Sequence, residues 1–153
     1  MSALVHLQTE RAVLGSVLAG ATVSDTGPLP VESFGHPPHA LIWQAMRDLD
    51  IAGKPVDHLT LAERLLAMPN AHGDGSVLAA VGGPAYLMSL DQVVPVPGNL
   101  ATYCATLRDY ATRRAIDWHA DMAKAGARDL ARRSPARRRR GSESASSIVR
   151  SVE

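Results

Sequence analysis

Apolar residues recur along this chain at the three-and-four spacing of helices, and nowhere do they alternate in the way a half-exposed strand requires. A first stripe, Val13, Leu14, Val17 and Leu18, lies on one helical face and loses definition at Gly20. A polar connector follows over 21–30, with a short turn expected around Pro30 to Ser33. The clearest helix opens after Gly35-His36, because Pro37 suits a first turn, where its missing N–H has no helical partner. His39, Ile42, Trp43, Met46 and Leu49 then repeat on one side until Gly53-Lys54-Pro55 ends the pattern.

Asp57 is a plausible N-cap for the next helix, and Thr60-x-x-Glu63 has the form of a capping box. Leu61, Leu65 and Leu66 follow, and Pro69-Asn70 stops the helix. A Gly-rich loop over 70–76 leads through 77–81 into Gly82-Gly83-Pro84 and a helix carrying Leu87 and Leu90. Val94-Pro95-Val96-Pro97-Gly98 must be extended or turned, since a proline disfavours helical geometry in the residue before it. A long helical region begins near Asn99, with Leu100, Tyr103, Cys104 and Leu107 as one stripe and Ile116, Trp118, Met122 and Leu130 beyond. The chain therefore reads as all-α, with Phe34, Ile42, Trp43, Met46, Leu61, Leu65 and Leu87 as its core.

With 153 residues, one core is expected. A 46% share of apolar residues against 20% charged ones is globular, and the dominance of Leu, Ala and Met over β-branched and aromatic types favours helices. Charge changes the picture at the end of the chain. The formal charge of +1 conceals an acidic head, whose basic residues before position 113 are Arg11, Arg47, Lys54, Arg64 and Arg108, joined to a basic tail. From 132 onward the sequence is Arg-rich and then Ser-rich, with too little apolar surface to offset the roughly 1–2 kcal/mol per residue of backbone ordering, so a disordered segment is expected over 132–153. The single cysteine, Cys104, has no partner for a disulfide or zinc site, which suits the reducing cytoplasm. The uncharged run over 12–24 is shorter than the about 20 residues a membrane span needs and reads as a buried helix, with no membrane partner expected.

Candidate chemistry is sparse. A P-loop needs Gly-x-x-x-x-Gly-Lys-Ser/Thr to cradle phosphates. The only Gly-Lys pair is Gly53-Lys54, followed by Pro55 and preceded by Asp48 where the first glycine should stand. His36 and His39 lie three apart but have no Cys or carboxylate at ligand spacing, so no metal is expected. Ser16, Ser24 and Ser33 lack a nucleophile-elbow context, Cys104 reads as packing, and Glu63 is accounted for by capping. No catalytic or cofactor-binding residue is assigned.

Four ordered blocks carry a resemblance. They are Glu10-Arg11-Ala12-Val13-Leu14-Gly15; Phe34, His36, His39, Ile42 and Trp43; Gly53-Lys54-Pro55-Val56-Asp57 with Thr60-Leu61-Ala62-Glu63; and Val81-Gly82-Gly83, Tyr86-Leu87, Val94-Pro95 and Asn99-Leu100 to Tyr103. Together they resemble the N-terminal domain of DnaB-type replicative DNA helicases. The loop over 71–80 is longer than that family's connector, the chain is about one residue short around 109–114, and the ATPase half is absent from it.

The resemblance implies a compact head of about five to six helices over 1–98, then a helical hairpin over 99–131 that turns near Asp109 and pairs between subunits. Tyr103, Leu107, Tyr110, Ile116 and Trp118 are the candidate interface residues, since a projecting hairpin cannot bury both faces on its own head. The alternative is a straight helix packed back on the core. The implied partners are a second copy in a dimer or larger homo-oligomer, replicative helicase subunits and primase. Arg132, Arg133, Arg137, Arg138, Arg139 and Arg140 are candidates for nonspecific, salt-sensitive contact with DNA. Two further readings stay open: a nucleic-acid-binding accessory protein working through that Arg-rich run, and a fragment of an ATP-dependent replicative helicase.

Overall fold

A computed structural model describes residues 3–71, 73–93 and 96–146, with side chains described as far as Arg133 apart from Val93 and Pro97. Its helices are α1 (Ala3–Leu18), α2 (Pro37–Ile51), α3 (His58–Ala67), α4 (Val77–Ala80), α5 (Gly83–Leu90) and α6 (Leu100–Ser146). Short 3-10 turns occupy Val23–Thr26, Val31–Ser33, Asp91–Val93 and Pro97–Asn99. The fold is all-α, and among the described residues there is no strand. The chain divides into two compact units, Met1–Thr112 and Arg113–Glu153.

The first unit is the head, and its core is the one the apolar spacing predicts. Phe34, Ile42, Trp43, Met46, Leu61, Leu65 and Leu87 are all buried. Trp43 lies at the centre, its ring 5.5 Å from that of Phe34 and its indole N–H donating to the Leu29 carbonyl at 2.9 Å. The uncharged run of α1 is buried through Val13, Leu14 and Val17, and among the described residues no helix is long and apolar enough to cross a membrane.

Local chemistry sets the helix ends. His36 occupies the N-cap of α2 with Pro at its first positions, and Gly53 closes it at φ 68°, which lets Lys54 N–H reach back to the Leu49 carbonyl at 2.9 Å. The capping box of α3 lies three residues earlier than the sequence suggests. Asp57 Oδ1 accepts from the Leu59 and Thr60 amides at 2.9 and 2.8 Å, while Thr60 Oγ1 accepts from the Asp57 amide at 3.0 Å. Thr60 therefore stands inside the helix as the reciprocating residue, and Glu63 has no capping role. Arg64 of α3 donates to Asp48 of α2 at 2.6 Å, tying the two helices together.

The long final helix corrects the expected hairpin. α6 runs from Leu100 to Ser146 with no turn at Asp109. Between Leu100 and Lys124 the chain contains neither Gly nor Pro, so nothing breaks the ladder, and Thr106 and Thr112 return their hydroxyls to carbonyls four residues back at 3.0 Å. The head also reaches further than residue 98: Leu100, Cys104 and Leu107 are buried members of its core, which carries the first unit to Thr112. Of the segment expected to be disordered, 132–153, side chains are described only for Arg132 and Arg133, and residues 147–153 lie outside the described residues.

Candidate interaction surface

The five candidate interface residues fall into three different environments. Leu107 is fully buried in the head's own core and is not part of a seam. Tyr103 and Tyr110 are half-buried, both packed against that core, and the Tyr110 ring lies 3.6 Å from the ring of His6 in α1. Arg108, between them, donates to the carbonyls of Thr26 and Pro28 at 3.3 and 3.1 Å and so fastens the loop before α2. Cys104 is buried and free, its thiol pushed up by burial against a smaller opposing pull from Arg108, which makes it a packing residue.

Ile116 and Trp118 belong to the second unit and are exposed, at 61% and 57%. Met122 and Leu130 are exposed as well. These residues do not form one face. At about 100° per residue, positions two apart point to roughly opposite sides of a helix, so Ile116 and Trp118 cannot share a partner surface. Ile116 instead shares its side with Ala120, Ala123, Ala127 and Leu130, and Trp118 shares its own with Met122 and Ala125. Of the Arg-rich run, Arg132 and Arg133 are exposed, with Arg133 paired to Asp129 at 3.5 Å, and the side chains of Arg137, Arg138, Arg139 and Arg140 lie outside the described residues.

Glu10 is a buried charged residue of α1. It is 2% exposed, and its carboxylate accepts from the Gly35 amide at 2.6 Å, from the His36 amide at 3.3 Å and from His39 Nδ1 at 2.7 Å. His39 is fully buried, and its Nε2 lies 2.6 Å from the Tyr86 hydroxyl. A carboxylate only accepts, so Nδ1 carries the proton of the bond to Glu10, and the Tyr86 hydroxyl, which can both donate and accept, completes the ring's hydrogen bonding at Nε2. Burial raises the Tyr86 phenol above its ordinary value, Arg11 pulls the other way, and Glu10 adds a further push upward.

Tyr86 is placed by Gly82, whose φ of 114° is a left-handed conformation and whose added Cβ would lie 2.8 Å from Tyr86 Cβ. The relay thus links α1, α2 and α5. A spacing signal for it was present: Glu10 stands at i to Val13, Leu14 and Val17 at i+3, i+4 and i+7, so a charge heads a buried stripe. The Glu10 oxygens are already engaged by amide donors, and among the described residues no three His, Cys, Asp or Glu side chains converge as metal ligands.

A buried polar relay that links α1, α2 and α5, with a long α6 following, defines a small all-α head domain. The chain belongs to the DnaB-like helicase N terminal domain family, whose model matches residues 3–109. It is 36% identical over 113 residues to the replicative DNA helicase DnaB of Treponema pallidum, covering 72% of this chain and 24% of that helicase. It is 35% identical over 114 residues to the replicative DNA helicase DnaB of Pasteurella multocida, covering 72% of this chain and 22% of the relative.

The fold superposes on the crystal structure of the N-terminal domain of DnaB helicase from Mycobacterium tuberculosis with a TM-score of 0.67 at 28% identity, over 78% of this chain and 83% of that one. It also matches a DnaB-like replicative helicase, solved in a study of its interactions with primase, with a TM-score of 0.63 at 30% identity, over 75% of this chain and 26% of that one. The chain therefore spans less than a quarter of the length of either of these two helicases. The shared stretch is the N-terminal, non-catalytic portion, and the P-loop sequence is absent from the chain.

Proposed function

We propose that this chain is an assembly and docking module of a DnaB-type replication system, pairing with a second copy and engaging replicative helicase subunits and primase. The observation that carries this reading is the exposed apolar set of the second unit, Ile116, Trp118, Met122 and Leu130, each at least 53% exposed. Each such side chain, once covered, contributes about 1.5–3 kcal/mol to association. The module positions partners and leaves ATP hydrolysis to chains that carry a P-loop.

Light scattering of the purified protein, alone and with primase C-terminal domain or intact helicase, tests the proposal. Masses above the monomer for the protein alone and co-eluting complexes with either partner are expected; a monomer that shifts neither partner overturns it. Salt-dependent DNA binding lost on removal of the Arg-rich run, with no protein partner, would favour the nucleic-acid reading instead.

A further inference from the structure

We infer that the groove between α2 and the connector after α1 receives a linear segment of another protein in which an aliphatic side chain stands beside a carboxylate. The groove has a volume of about 420 Å³ and is lined by Val23, Pro28, Leu29, Pro30, Trp43 and Arg47. That size and that mainly apolar lining are those of a ligand pocket, for which about 300–1,000 Å³ is usual. The groove lies wholly in the head, apart from the exposed apolar set of the second unit, and does not depend on the self-association proposed above. Trp43 is buried, so it closes the floor and offers no ring face for stacking. Aliphatic contact is what the groove provides, and it is open along one side, which admits a chain that crosses it.

The walls are set before a partner arrives. Thr22 and Asp25 cap the 3-10 turn of the connector reciprocally at 2.8 and 3.2 Å, the Trp43 indole holds the Leu29 carbonyl, and Arg108 holds the carbonyls of Thr26 and Pro28. The rings of Pro28 and Pro30 fix their φ, so little ordering cost is left for binding. Charge then selects the occupant. Arg47 is the one charged side chain in the lining; it is half-buried and makes no hydrogen bond or ion pair among the described residues. Asp48, beside it on α2, is engaged by Arg64 and Gln44, and Asp25 by the Thr22 amide. Arg108 adds a second positive charge behind the Thr26 and Pro28 carbonyls. A carboxylate entering beside the aliphatic anchor gains a charge-assisted bond to the Arg47 guanidinium, whereas an ammonium group meets a like charge.

The test titrates the full chain with defined probes and follows its amide and indole N–H resonances by NMR. The probes are two peptides blocked at both ends, Asp-Leu-Val-Leu-Asp and Lys-Leu-Val-Leu-Lys, and octanoate as a free aliphatic acid. The acidic peptide should move the amides of Val23, Gly27 and Leu29 and the Trp43 indole N–H, and bind about tenfold more tightly than the basic one. Arg47→Gln should weaken the acidic peptide by about tenfold, and Arg47→Glu should reverse the preference between the two peptides. Unchanged resonances elsewhere in the head are the folding control, and the milder glutamine variant carries the test if the glutamate variant does not fold. No shift at these residues, equal affinity for the two peptides, or shifts confined to residues beyond Thr112 would overturn the inference. Octanoate binding at the same residues more tightly than the acidic peptide would overturn a protein segment as the occupant. A chain that stays monomeric at every concentration yet binds the acidic peptide here would support this inference while removing the self-association proposed above.

Discussion

Glu10 and His39 head the apolar stripes of α1 and α2 and meet at 2.7 Å, carboxylate oxygen to ring nitrogen, with both side chains buried. Neither could occupy its position alone, because an unpartnered buried charge or imidazole is strongly destabilising. Glu10→Ala should therefore cost about 3–5 kcal/mol, the range for removing one member of a buried charged network. Glu10→Gln keeps an acceptor oxygen and should cost less. Urea midpoints for the two variants check this, and equal, small losses would mean that water replaces the carboxylate.

Trp43→Ala is expected to destabilise the head by about 3–5 kcal/mol through lost burial and the cavity left between Phe34 and Leu29. Trp43→Phe removes mainly the bond to the Leu29 carbonyl and should cost less. Chemical denaturation of both gives the comparison, and a near-neutral alanine variant would contradict the central place of α2.

Leu107 and Ile116 should respond in opposite ways to a charge. Leu107→Glu forces a carboxylate into the core and is expected to unfold the head, while Ile116→Glu should leave the head's stability within about 0.5 kcal/mol and lower only the association state. Circular dichroism alongside sedimentation separates the two. A folded, monomeric Leu107→Glu protein would return Leu107 to the interface.

Acid should weaken the fold in two stages. His36 is held below 6.5 first by partial burial and then by the neighbouring His39, with Glu10 opposing. Its folded form thus binds fewer protons than the unfolded chain as pH falls past 6.5, and a small part of the stability is lost there. Burial would raise Asp48, but bonds from Arg64 and Gln44 and the charges of Arg64 and Arg47 hold it below 3.8. Its contribution is present above 3.8 and disappears as pH falls through its lower folded value. Urea midpoints across this range should decline in both stages, with His36→Gln removing the first and Asp48→Asn reducing the second.

Much of the head was legible because its signals are local. Pro37 and Gly53 bracket α2, the stripe from His39 to Leu49 names its buried side, and Asp57 is identifiable as a cap by type and place. What the sequence misplaced depends on distance. The burial of Leu107 follows from how far the head reaches along α6, which no spacing within α6 reports. The turn at Asp109 came from resemblance, against a stretch with no residue able to break a helix. Glu10 was visible as a charge on an apolar stripe, but its partners sit 25 to 29 residues away, beyond any helical period.

The N-terminus of α2 has no cap of its own, since His36 makes no side-chain bond there and Glu10 on α1 accepts the Gly35 and His36 amides instead. The first turn of α2 is thus completed by another helix, and the loop between them must close before that turn is worth forming. Opening of α1 and fraying of α2 become a single event, so the Gly35 and His36 amides should exchange with solvent only when the two helices separate. What is ordinarily the most labile end of a helix is here as slow to exchange as the contact between α1 and α2 is slow to open.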